Sequence, residues 1–235
     1  MKFSFGFDFD GVGSPAVFTP AANPNLVLWL KANTIGVADG AAVTAWADQS
    51  GAGHNLVQST GTSQPAYRTT GGPLSKPCVD FDGSSDFLDF SAAWNQVVPF
   101  TVYVVAKTEA TGTKVFMDRN GAGTAPAIYF ALGGTNAALY WNGTTIVNNV
   151  ASPNAWHIFR FRLTSSTGGL RLNNGAESTG SHSQSALAQW SRMFAFSAAL
   201  QQYDGQIAEV ILVHESISAP NDALIMAYLN REHGL

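Results

Sequence analysis

Two stretches decide the fold: Trp46-Ala47-Asp48-Gln49-Ser50-Gly51-Ala52-Gly53-His54-Asn55-Leu56, and Val79-Asp80-Phe81-Asp82-Gly83-Ser84-Ser85-Asp86-Phe87-Leu88-Asp89-Phe90. Each sets polar turn residues, Asp, Ser and Gly in both and Asn in the first, beside aromatic and aliphatic residues. The polar residues hydrogen-bond their own backbone and tolerate tight turns, and the rings suit a pleated, half-buried surface. The pattern predicts strand, turn, strand, with loops better suited to recognition than to chemistry.

Working outward, the same alternation repeats. Leu26 to Leu30, Phe100 to Val105, Ala127 to Leu132 and Trp156 to Leu163 read as strands. In the last, Trp156, Ile158, Phe159 and Phe161 supply core, and His157, Arg160 and Arg162 face solvent or a concave surface. Gly71-Gly72, Gly133-Gly134, Asn142-Gly143, Gly168-Gly169 and Asn174-Gly175 punctuate the chain with the positive φ angles that hairpins need. Many short strands without alternating helices predict an all-β, two-sheet antiparallel jelly-roll sandwich. One helix is signalled near the end: Ser218 as N-cap, Pro220 in the first turn, Leu224, Ile225, Tyr228 and Leu229 on one face, and Gly234 as stop.

Residues 1–25 differ. Phe3, Phe5, Phe7 and Phe9 alternate with Ser4, Gly6, Asp8 and Asp10, and a Gly/Pro/Ala-rich stretch follows. This reads as an N-terminal arm that docks on another subunit or on copies of the chain, the competing reading being a first strand of the sandwich. The folded domain is then 26–235.

Composition narrows the function classes. Only 12% of the 235 residues are charged, about half the usual share, so Ser, Thr, Asn, Gln and Gly must build the surface. A net charge of −4 without any Lys/Arg cluster excludes a nucleic-acid footprint. No apolar run is long enough for a membrane span, and the first residues lack the pattern of a signal peptide. A single Cys78 precludes an internal disulfide and reads as a buried, inert thiol.

The run Leu28-Trp29-Leu30, Trp46-x-Asp48-x-Ser50-Gly51-x-Gly53-His54-Asn55, Gln64-Pro65 and Val79-x-Phe81-Asp82-Gly83 resembles the concanavalin A-like lectin/glucanase superfamily. More narrowly, it is similar to laminin-G-like jelly-roll modules of phage and bacterial surface proteins. Phe100 to Lys107, Leu170 to Gly175 and Asp204 to Leu212 extend the resemblance, which covers the chain from Leu26 onward. Such a fold hosts lectins, hydrolases and purely structural modules alike.

Retaining glycosidases need two carboxylates about 5 Å apart, which alternation along an inward strand would supply. Glu109, Glu177, Glu209, Glu215 and Glu232 show no such neighbours, and His54, His157, His182, His214 and His233 are scattered without a nucleophile elbow. A catalytic role is not expected.

For sugar binding, an exposed ring flanked by amides is the requirement. Trp141 beside Asn142, Trp94 beside Asn95-Gln96, and Trp190 near Gln189 and Arg192 meet it in sequence, with His54 in the first block as a further candidate. Asp82 and Asp86 are candidate ligands for a Ca²⁺ ion, the competing role being to cap their own turn through Asx hydrogen bonds. The expectation that follows is a non-enzymatic structural or adhesion protein of a virion: a phage decoration, fibre or tail component, made in the host cytoplasm and anchored through its arm to other virion subunits. A free carbohydrate-binding module, recognising cell-surface glycan, is the alternative, and a glycan-cleaving enzyme the third reading.

Overall fold

The structure is a computed structural model, and it describes residues 17–109, 112–118, 128–132, 136–141, 144–150, 153–182, 188–195 and 201–235. In chain order these residues form β1 (Leu26–Lys31), β2 (Ala45–Trp46), β3 (Leu56–Val57), β4 (Ala66–Arg68), β5 (Cys78–Asp82), β6 (Leu88–Gln96), β7 (Phe100–Thr108) and β8 (Gly112–Asp118). There follow β9 (Ile128–Leu132), β10 (Asn136–Trp141), β11 (Thr144–Val150), β12 (Trp156–Leu163), β13 (Thr167–Leu172), β14 (Ser178–Ser181), β15 (Ala188–Met193), β16 (Asp204–Val213) and α1 (Ala219–His233).

The strands make a two-sheet antiparallel sandwich. One sheet has eight strands, in the order β14-β13-β12-β7-β16-β5-β4, with β1 also paired to β16. The other has six, β2-β3-β6-β15-β8-β9, and β10 and β11 form a separate hairpin. β16 is the hub: β7 runs along one side, while β5 pairs with its first half and β1 with its second.

Leu30, Trp46, Phe81, Phe100, Trp190 and Phe194 are among the side chains packed between the sheets. On the outer face of the eight-stranded sheet, Tyr103, Val105, Ile158 and Ile211 pack against Ile225, Met226, Tyr228 and Leu229 of α1. The sheet is thus covered on both sides, which is why β7 and the second half of β16 are continuous apolar runs instead of alternating ones.

The helix follows its sequence signals. Ser218 is the N-cap, a Pro lies in the first turn, and Gly234 adopts φ 66° with its N–H bonded to the Asn230 carbonyl. One expectation is corrected. Leu224 is 44% exposed, and Met226 takes its place on the buried face, because the helix is set by where it meets β7 and β16.

Arg160, expected on an exposed or concave surface, is also buried, since its face of β12 lies under the α1 side of the sheet. Residues 17–25, expected to end the linker, lie on the domain: Phe18 packs with the helix-side cluster, and the Asn23 side chain donates to Glu215 at 3.0 Å. The Phe3, Phe5, Phe7 and Phe9 arm lies outside the described residues.

Candidate functional site

Of the sequence-predicted residues, the structure brings His54 against Trp94 and Asp82 against Asp86, and it does not gather them into one site. Trp190 is corrected outright: it is fully buried between the sheets, in edge-on contact with Phe100 at 6.1 Å. Gln189 and Arg192 beside it suggested exposure, but a register irregularity between Trp190 and Arg192 lets the arginine face outward while the indole stays in the core.

Trp94 is half-buried against the core, and His54 lies parallel over it, 4.1 Å away and tilted by 15°. The imidazole therefore occupies an indole face that a sugar ring would need. Burial lowers the His54 pKa, opposed by the charge of Asp48, which favours the neutral ring in this stack. Trp141 ends β10 opposite Thr144, its side chain outside the described set, and Asn142 is outside it altogether.

Asp82 and Asp86 order a turn. Asp82 accepts from the N–H and hydroxyl of both Ser84 and Ser85 and from the Asp86 N–H, and the Asp82 N–H donates to Asp86 Oδ2 at 3.0 Å. Burial would raise the Asp82 pKa, but the serine hydrogen bonds outweigh it and hold the carboxyl well below its usual range. Asp86 goes the other way, pushed up to about 6 by burial and the neighbouring Asp82 and Asp80 charges, against the Asp82 N–H bond. Among the described residues no group of three His, Cys, Asp or Glu side chains is placed to hold a metal ion. Asp48 orders the first block's turn through hydrogen bonds of the same kind, accepting from Ser50 and from the N–H groups of Trp29 and His54.

The structure shows a site that sequence order concealed. A groove of about 430 Å³ runs over the outer face of the six-stranded sheet, lined by Thr44, Val57, Gln58, Ser59, Gln64 and Asp89. Leu56, Leu88 and Phe90 point into the core, so Val57 and Asp89, their neighbours along β3 and β6, point out. Val57 is paired with Asp89 and Asp89 with Arg192, and Arg192 is in turn opposite Asp118 on β8. One row thus crosses four strands.

Within that row Arg192 grips Asp89 with two bonds, Nε to Oδ1 at 2.7 Å and Nη2 to Oδ2 at 3.1 Å. Its guanidinium sits 3.9 Å from the centre of the Phe87 ring. The arginine side chain is 9% exposed and the aspartate 37%, so Asp89 is the member that reaches solvent. The adjoining loop is held by its amides: Gln58 Nε2 donates to the Phe87 carbonyl, Gln58 Oε1 accepts from the Thr60 N–H, and Gln64 Nε2 donates to the Gln58 carbonyl. The groove therefore offers hydroxyls, a fixed carboxylate and one apolar side chain on a rigid wall.

No protein-family model matches the sequence, and no curated protein matches it. Solved structures do match in fold. A Trypanosoma rangeli sialidase in complex with sialic acid superposes with a TM-score of 0.59 at 10% identity, over 90% of this chain. The chain spans about a third (34%) of that sialidase. Domain 4 of AbnA, a GH43 extracellular arabinanase from Geobacillus stearothermophilus, in complex with arabinotriose, matches at 0.57 and 12% identity, over 86% of this chain and 98% of that one. The binding domain of Paraclostridial Mosquitocidal Protein 1 matches at 0.60 and 12%, over 88% and 53%.

At such identities the likeness establishes the fold alone, a two-sheet β-sandwich. The expectation of a virion decoration, fibre or tail protein is thereby corrected. The matched structures are a sialidase, a domain of an arabinanase and the binding domain of a mosquitocidal protein, and they agree better with the carbohydrate-binding alternative.

Proposed function

We propose that this domain is a carbohydrate-binding module of the concanavalin A-like, laminin-G-like type, which holds a neutral glycan chain in the groove over β2, β3 and β6. The observation that carries the reading is the groove itself, an open channel lined by Thr44, Ser59, Gln64 and Asp89 around an exposed Val57. Its volume falls in the range of small-ligand sites, and its hydroxyl, amide and carboxylate groups are the partners that sugar hydroxyls use. Asp89 is fixed by Arg192 before any ligand arrives, which reduces the ordering cost of binding.

The domain binds without cleaving. In support, Asp89 is the one carboxylate among the groove's described lining residues, and both its oxygens are committed to Arg192, whereas glycoside hydrolysis needs a second acid.

A glycan array with the intact chain tests the proposal, with Val57→Lys as the blocking variant. Retention of neutral arabino- or galacto-oligosaccharides by the parent and loss in the variant, with an unchanged melting temperature, is expected. Equal retention by both would overturn the site, and release of shortened oligosaccharides would replace binding with hydrolysis.

A further inference from the structure

At the β12–β13 end of the helix-covered face of the eight-stranded sheet, three arginines crowd together. Arg160 on β12 and Arg171 on β13 are direct cross-strand partners, a placement in which like charges repel. Arg162 lies two residues further along the same face of β12. Two carboxylates answer these three guanidinium groups.

Asp222 on α1 accepts from the Tyr103 hydroxyl at 2.6 Å, pairs with Arg160 Nη1 at 3.0 Å and lies 2.8 Å from Arg171 Nη1. Glu177 lies 2.8 Å from Arg160 Nη2 and takes two bonds from Arg162. Within this cluster the guanidinium groups outnumber the carboxylates by one. Arg171 is where the excess shows. Asp222 is its one side-chain partner among the described residues, and its Nε is buried without an acceptor. A guanidinium has five N–H donors, and its flat fork suits a carboxylate.

Arg171 lines a groove of about 460 Å³ between β13 and α1. Asn174 and Asn230 bond each other at one part of its wall, and Ala223, Met226 and Ala227 give it a small, apolar surface. Asp222 lines the groove as well, so the arrangement sets the Arg171–Asp222 pair, amide groups and small apolar side chains within one small-ligand volume.

We infer that this groove is a second binding site, separate from the one over β3 and β6, for an acidic sugar whose carboxylate pairs with Arg171. Asn174 and Asn230 then meet the hydroxyls, and the alanine strip meets the apolar ring face. Neither site depends on the other.

Calorimetric titration of the whole chain with digalacturonate, against neutral galactobiose and acetate, tests the inference. Digalacturonate is expected to bind saturably and more weakly at high salt, with galactobiose giving no heat attributable to this groove. Arg171→Lys should weaken binding about tenfold, because an ammonium loses the two-bond geometry. Ala227→Leu, which fills the groove and leaves the ion pairs intact, should abolish it, with Asn230→Ala as the second variant if the first melts early. Val57→Lys should change nothing, which separates this site from the other groove. Absence of saturable digalacturonate binding, or equal binding by wild type and Ala227→Leu, would overturn the site. Displacement by acetate at equal concentration would overturn the sugar and leave a bare carboxylate.

Discussion

Asp86 shows how much one buried carboxyl can report. With its pKa pushed up to about 6, the folded protein holds this proton more tightly than the unfolded chain. Its contribution to stability is therefore complete below the ordinary aspartate range and is lost as pH rises through about 6. Asp82 has the opposite sign: its stabilisation is present above the ordinary range and lost only in stronger acid. Asp86→Asn should thus flatten the fall in stability between about pH 4 and 7, and raise stability at neutral pH by about 1–2 kcal/mol. Urea melts across that range check it, and an unchanged pH profile would contradict the burial argument.

At Gly205 the backbone has φ 134°, and a Cβ there would collide with the Lys107 carbonyl across the β16–β7 ladder. Gly205→Ala should cost about 2–4 kcal/mol, read from the shift in thermal midpoint. The Asx turns at Asp48 and Asp82 were legible in the sequence because they are local. The burial of Trp190 was not, since it depends on a register irregularity in β15 that no neighbouring residue announces.

Among elements, α1 illustrates the same division. Its start, stop and length were readable from Ser218, Pro220 and Gly234, but not what it covers. The helix is tied to β16 through Glu209, which is 1% exposed and accepts from Trp29 Nε1 at 2.6 Å and Tyr228 Oη at 2.8 Å, with His233 Nε2 also at 2.8 Å. A buried carboxylate is tolerable only with such partners. Glu209→Gln would set an N–H against another donor, and should destabilise by about 2–4 kcal/mol while raising amide exchange along α1 before the sheets. Uniform loss of protection across the fold would show instead that the helix is not a separate unit.

The unbroken apolar runs of β7 and β16 were a sign, present in the sequence, that this sheet is covered on both faces. That sign also explains Arg160: alternation put it opposite Phe159 and Phe161, and the helix turned that opposite side into an interior.

For the whole molecule, the sandwich was recoverable because strand alternation and turn chemistry repeat along the chain. The grooves were not, because each is assembled from distant segments. Thr44, Val57, Gln64 and Asp89 meet only through the β3–β6 register, and Arg171 meets Asn230 only through the docking of α1. Trp190 and Trp94, chosen for their flanking amides, are taken up by packing for a related reason: in a chain with 6 tryptophans and 15 phenylalanines, many rings pack between the sheets.

The central claim is that the outer face of the six-stranded sheet receives glycan. The most direct measurement is an amide-resolved NMR titration of the whole chain with a neutral arabino- or galacto-oligosaccharide. Saturable shifts centred on Thr44, Val57, Ser59 and Asp89, absent in Val57→Lys, are predicted. No shifts at these residues, or shifts that persist in the variant, would contradict the account.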